Sequence, residues 1–400
     1  MPLGSLHLLI FGNVEVLPML YSLSGVRART VAAVAAVAIT AACSAHDGAM
    51  SPASGTQAMI PSQAHNPGHA SASSASILKH LTSQVVIGSA VDPKNGAQNP
   101  YGLTIAPSTN GAFTAGDLAI CNFNSKYNQQ GSGKSIVALH STPGSTPTHV
   151  SQSASILGCA ALALSPDDTT WAAAMVANNN PILNSSGKLL ANINGKPFSQ
   201  PWGQVFAQPA SGSPAFYETN ARTGTVVRIN LGSKFTFDVI AKGFPINRGV
   251  AGTVLAPSGL AYDPTIDTLY FADGKNNTIV AIANVSSVPN GGIVASHNGM
   301  QFSGPSASDA RIVYSGSPLN GPISTALLPN GNLAVGNTLD PAGTNLIIEL
   351  SPAGQVLDTI NVDTGPGGAL FGMAATGTSS SDTKLYFNDD NQNNVQVLQP

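Results

Sequence analysis

Hydrophobic and polar positions alternate along most of the chain with the two-residue period of β-strands, in short runs separated by Gly, Pro, Asn and Asp. The runs recur in a fixed order. A strand opened by small residues ends in Pro or a polar turn. A second, more apolar strand ends in Asn or Asp, and a third follows another turn. The clearest copy is Pro257-Ser258-Gly259-Leu260-Ala261-Tyr262-Asp263-Pro264, continued by Thr268-Leu269-Tyr270-Phe271-Ala272-Asp273 and Asn277-Thr278-Ile279-Val280-Ala281-Ile282. The first copy opens Pro100-Tyr101-Gly102-Leu103, with its second Pro, Pro107, the same distance past the Gly.

Four further copies open near Cys159, Pro201, Pro322 and Gly372. Six copies of roughly 40 to 65 residues match the length of a four-stranded propeller blade. Gly and Ala in the first strand of each copy suit the axis, where blades converge and large side chains collide. Leu, Ile, Val, Phe and Tyr in the second and third strands suit packing of one blade on the next. The predicted fold is all-β, a six-bladed β-propeller, with a two-sheet sandwich as the competing architecture. The last copy ends at Pro400 after its third strand. The unassigned strand Gln84-Val85-Val86-Ile87-Gly88 is therefore expected to complete the last blade and close the ring.

Composition narrows the function. Charged residues are 9% of the chain against a usual value of about 25%, and the net charge is −3 with no basic cluster, which excludes nucleic acid as a partner. Residues 1–43 read as an export signal: Arg27 and Arg29 precede an uncharged run that ends at Cys43 and is too short to span a membrane. Met19 is an alternative start. The run resembles a bacterial lipoprotein signal, which implies lipidation of Cys43, although Thr40 stands where that motif has an aliphatic residue; ordinary cleavage after Ala42 or Ala45 is the alternative. Residues 44–83, rich in Ser, Ala, Gly and Pro, have the composition of a flexible tether. Residues 84–400 form the propeller. The expected location is the periplasm, outer envelope or extracellular space, with membrane contact only through a lipid anchor.

The Gly259-Leu260-Ala261 opening and the Leu269-Tyr270-Phe271-Ala272-Asp273 run followed by Asn276-Asn277-Thr278-Ile279 resemble an NHL repeat. More broadly the chain is similar to the six-bladed group of gluconolactonase-like and streptogramin-lyase-like proteins. Gluconolactonase-like enzymes hold a divalent metal among oxygen ligands on the axis. The resemblance makes Ca²⁺ or Mg²⁺ the candidate cofactor, with Glu218, Asn220 and Asp273 as candidate ligands. Asn122, Asn178, Asn337, Asn388 and Asp389 fall on the same predicted ligand-binding face. Hydrogen bonding to the chain's own turns is the competing role for all of these strand-end residues. The Glu-Gly-Pro opening of the lactonases is missing from the first copy. Streptogramin-lyase-like enzymes use a His base, but His80, His140, His149 and His297 occupy no strand-end position and read as loop residues. Gly131-Ser132-Gly133-Lys134-Ser135 lacks the first Gly of a phosphate loop and reads as a turn.

Cys121 ends a second strand and Cys159 opens the next first strand, so a disulfide between neighbouring blades is expected in an exported chain. Two readings of function follow. One is an envelope binding scaffold for a protein, glycan or small molecule. The other is a divalent-metal-dependent hydrolase or lyase with its site on the axial face.

Overall fold

The computed structural model describes residues 75–338 and 345–400. Residues 1–74, which carry the expected export signal, Cys43 and most of the expected tether, lie outside the described residues. Among the described residues, no helix is long and apolar enough to cross a membrane.

Six sheets, each built on an antiparallel four-stranded blade, make six blades, one for each copy of the repeat. The inner strands are Gln98–Ile105, Cys159–Leu164, Pro201–Ala207, Pro257–Asp263, Pro322–Leu327 and Leu370–Thr376, for blades 1 to 6. Each pairs with a second strand, in the same order Leu118–Asn124, Thr170–Ala174, Ala215–Asn220, Thr268–Asp273, Leu333–Asn337 and Lys384–Asp389. Side chains of these strands alternate between the two neighbouring blades. Tyr217, Leu260, Leu269 and Phe271 thus meet in one buried cluster between blades 3 and 4. Each fully buried side chain of this size contributes roughly 1.5–3 kcal/mol.

The ring closes as the sequence pattern predicts. Ser83–Ser89 pairs antiparallel with Asn394–Gln399 as the outer strand of blade 6, with Ser83 opposite Gln399. The packing begins before that strand: Ile77, Leu78 and Leu81 are buried with Leu328, Leu370 and Phe387 of blades 5 and 6. Buried Glu349 anchors this segment, accepting hydrogen bonds from Ser76 Oγ (2.6 Å), Ile77 N (3.0 Å) and Leu78 N (2.8 Å).

Blade 3 carries an addition that the repeat pattern does not contain. Its outer strand Thr236–Lys242 pairs in parallel with Ile293–Ser296, which forms a hairpin with Gln301–Ser303. This hairpin is inserted within blade 4, before its outer strand Ala310–Ser315, and covers the edge of blade 3. Cys121 and Cys159 form a disulfide with their Cα atoms 5.9 Å apart, tying the second strand of blade 1 to the inner strand of blade 2.

Candidate functional site

In every blade the inner strand carries one extra residue at the same place, just after it begins. The register runs Pro100↔Asn122 then Gly102↔Cys121 in blade 1, and Pro201↔Asn220 then Gln204↔Glu218 in blade 3. Blades 2, 4, 5 and 6 slip at the corresponding point. A bulge of this kind re-aims side chains. The first residues inside the slip are Tyr101, Ala160, Trp202, Ser258, Ile323 and Phe371, and four of the six are large and apolar. The next tier is Gly102, Ala161, Gly203, Gly259, Ser324 and Gly372. Small residues are obligatory there, because a Cβ on Gly203 would run into the Ser258 carbonyl of the following blade. Large side chains therefore gather at the mouth of the channel and its waist is narrow.

The mouth encloses a cavity of about 170 Å³ lined by Tyr101, Phe123, Met175, Trp202, Ile323 and Phe371. Phe371, Tyr101 and Phe123 form a continuous stack, with ring centroids 3.6 and 4.0 Å apart. Asn247, Gly252, Thr253, Val254 and Leu255, from the connection between blades 3 and 4, supply another wall. Asn247 holds this connection in shape: its Oδ1 accepts from Gly249 N (2.8 Å) and Leu255 N (2.9 Å), and its Nδ2 donates to Thr253 O (2.6 Å). Gly252 lies against Gln130 of blade 1, so the connection reaches over the mouth as a roof. Among the described residues of the lining, the polar groups are Asn247, Thr253, Thr338 and the Tyr101 hydroxyl, with no Asp, Glu, His, Lys or Arg.

None of the strand-end residues singled out from the sequence is among the described residues that line this cavity, and most bind backbone. Asn388 Nδ2 donates to the carbonyls of Tyr101 (3.1 Å) and Gly102 (3.2 Å), and so fixes the bulge that aims Tyr101. Asn122 Nδ2 donates to Ala90 O (2.9 Å). Asn178 accepts from Gln200 N (2.6 Å), Asn220 from Ser199 N (2.8 Å) and Asn337 from Asn320 N (2.9 Å). Asp389 accepts from Gln392 N and from Gln396 Nε2.

Glu218 and Asp273 differ from these. Glu218 is fully buried, with Gln204 Nε2 3.5 Å from its Oε2; Gln204 also donates to Asn180 Oδ1 at 3.0 Å. Burial pushes the Glu218 carboxyl well above its ordinary range, and Oε1 has no partner. Asp273 is equally buried and lies beside Gly299 near Phe244 and Pro245. Burial raises its pKa to about 7; the N–H groups of Lys275 and Asn276 work against this without closing a hydrogen bond of normal geometry. Glu218, Asn220 and Asp273 share no hydrogen bond with one another. Among the described residues, no group of three His, Cys, Asp or Glu side chains stands close enough to hold a metal ion.

None of the four described histidines lines the axial cavity. His80 is in the short 3-10 turn Leu78–His80, His140 Nδ1 meets Asp117 and His149 Nδ1 meets Asp92, and His297 occupies a left-handed turn position. The aromatic mouth was missed from the sequence. Its signal is the middle residue of Pro100-Tyr101-Gly102, Pro201-Trp202-Gly203 and Leu370-Phe371-Gly372, where an aromatic ring stands before the obligatory Gly.

No family model and no curated protein matches the chain. Among solved structures it is similar to a gluconolactonase from Xanthomonas campestris, at 14% identity over 76% of this chain and 86% of that one, with a TM-score of 0.51. It is also similar to virginiamycin B lyase from Staphylococcus aureus, at 16% identity over 80% and 98% of the two chains, with a TM-score of 0.47. At these identities the likeness is one of fold alone, and the six blades are read from this chain's own sheets.

Proposed function

We propose that the protein is an exported binding propeller that takes a small, uncharged ligand bearing an apolar or aromatic ring into the roofed axial cavity. The observation that carries this reading is the lining itself: four aromatic side chains with Met175 and Ile323, a few hydroxyl and amide groups at the rim, and no charged residue among the described lining residues. Apolar walls with a small number of orienting polar groups are the ordinary chemistry of small-molecule sites. Export is supported by the Cys121–Cys159 disulfide, a bond that persists in oxidising compartments.

A second reading, the divalent-metal-dependent hydrolase or lyase, is favoured by one observation. Glu218 Oε1 and both carboxylate oxygens of Asp273 are buried without hydrogen-bond partners, a condition that a bound Ca²⁺ or Mg²⁺ would relieve at either residue. Asn220 fits less well, because its side-chain oxygen already accepts from Ser199 N.

Both readings are tested on one preparation. The neutral dye phenylnaphthylamine should bind saturably, with enhanced emission, and Ile323→Trp, which fills the cavity, should abolish the binding while leaving the melting curve in place. Saturable binding that survives Ile323→Trp would remove the cavity from the proposal. Melting with EDTA, Ca²⁺ or Mg²⁺ decides the second reading. A site filled at about a hundred times its dissociation constant adds about 2.7 kcal/mol, and that gain must vanish in Glu218→Gln or Asp273→Asn. No ion-dependent shift leaves the binding propeller standing.

A further inference from the structure

We infer that a cleft on the rim of blade 1, lined by Lys94, Lys134 and His149, is an oxyanion site that takes the phosphate group of a small ligand. The cleft measures about 430 Å³ and is walled by Lys94, Lys134, His149, Ser151, Gln152 and Gly187. The whole chain has only 16 Lys and Arg. Two lysines on one cleft are therefore a concentration of positive charge that the composition does not lead one to expect.

The cleft is held in shape from three directions. Asn95 Nδ2 donates to Gln152 Oε1 (3.0 Å), which fastens the turn bearing Lys94 to the outer strand of blade 1, Thr148–Gln152. Ser153 N donates to the carbonyl of Lys134 (3.0 Å), and Ser151 Oγ donates to the carbonyl of Gly187 in blade 2 (2.7 Å). A site whose walls are already fixed loses little on ordering its groups around a ligand.

Asp92 sets the chemistry of the third group. Its side chain is fully buried, and it accepts from Lys94 N (2.8 Å) and lies 2.8 and 3.0 Å from His149 Nδ1. A carboxylate can only accept, so the proton shared by this pair sits on Nδ1, and Nε2 is the ring nitrogen left over. Nε2 serves a phosphate in either state of the ring, accepting from P–OH when the imidazole is neutral and donating to a charged oxygen when it is protonated, while Lys94 and Lys134 supply positive charge to the cleft. The site is on a side face of the propeller and uses none of the axial residues.

The test is calorimetric titration of the intact chain with inorganic phosphate at constant ionic strength, set by chloride. One saturable site is expected. Lys94→Gln and Lys134→Gln should each weaken it about tenfold, the equivalent of one charge-assisted hydrogen bond, and should leave the melting midpoint and phenylnaphthylamine binding unchanged. His149→Gln should weaken it as well, provided its melting curve shows the fold intact. The inference is overturned if the intact chain shows no saturable phosphate binding up to about 10 mM. It is equally overturned if Lys94→Gln and Lys134→Gln, both folded, bind phosphate like the parent.

Discussion

Glu218 and Glu349 are both fully buried glutamates on strands of the propeller, and their surroundings make them opposites. Glu349 accepts four hydrogen bonds, from Ser76 Oγ, Ile77 N, Leu78 N and Asn332 Nδ2 (2.7 Å). Glu218 has one long contact with Gln204 and an unpartnered oxygen, and burial holds its proton in place. Glu349→Leu strands four buried donors and should cost about 3 kcal/mol or more, because each unsatisfied donor is penalised separately. Glu218→Gln replaces a carboxyl that is already hard to ionise by an amide of the same shape, and should be neutral or stabilising at pH 7. Urea unfolding of the two variants checks the pair, and a large loss in Glu218→Gln would show that the carboxylate is bound to something. Nothing in the sequence separates these two residues. Three of the four donors that distinguish Glu349 lie more than 270 positions away in the chain, where ring closure alone brings them.

At the level of elements, the disulfide and the bulges both act where the inner strand of one blade meets its neighbour. Cys121–Cys159 closes a loop of 38 residues across the first blade junction. Cys121→Ser with Cys159→Ser should lower stability by about 2–4 kcal/mol. It should do so without loosening phenylnaphthylamine binding, because neither residue lines the axial cavity. Urea midpoints with and without a reductant measure the first effect and dye titration the second. The strands and their order were legible because a period of two and terminal Asn or Asp are local signals, as in Leu269-Tyr270-Phe271-Ala272-Asp273. The closing strand was legible as well, since Val85, Val86 and Ile87 formed an unassigned apolar run and blade 6 lacked an edge. The bulge was not. A single extra residue between Pro201 and Gln204 leaves the alternation of the strand readable on either side, yet decides that Trp202 faces the mouth. The hairpin at Ile293–Ser296 and Gln301–Ser303 was also hidden, because it belongs to one blade in sequence and to its neighbour in space.

For the molecule as a whole, sparse charge concentrates the pH dependence of stability in a few buried acids. Burial raises Asp273 to about 7; burial, then the charge of Asp389, raises Asp390 to about 7; and burial, then the charge of Asp363, raises Asp389 to about 6. Glu218 moves in the same direction. In the unfolded chain such groups release their protons near pH 4. Between about pH 4 and pH 7 the folded chain therefore holds protons that the unfolded chain has lost, and stability falls as pH rises through this window. Groups of the opposite sign act lower. Asp382, exposed and held at about 2 by the N–H of Thr378 and neighbouring hydroxyls, contributes stability above the unfolded value that is lost as pH falls toward 2. Asp238, where the bonds from Asn230 and Arg228 outweigh burial, behaves likewise. The two sets leave an optimum at about pH 4–5, below the range in which many proteins are most stable. Thermal midpoints measured from pH 3 to pH 8 at constant ionic strength should peak there and decline toward pH 8. Asp273→Asn should flatten the decline, since each tenfold difference in proton affinity removed is worth about 1.4 kcal/mol. A midpoint that rises steadily from pH 4 to pH 8 would mean that these carboxyls are ionised in the folded protein. Cations would then have to compensate them, and the metal-dependent reading of Glu218 and Asp273 would regain its ground.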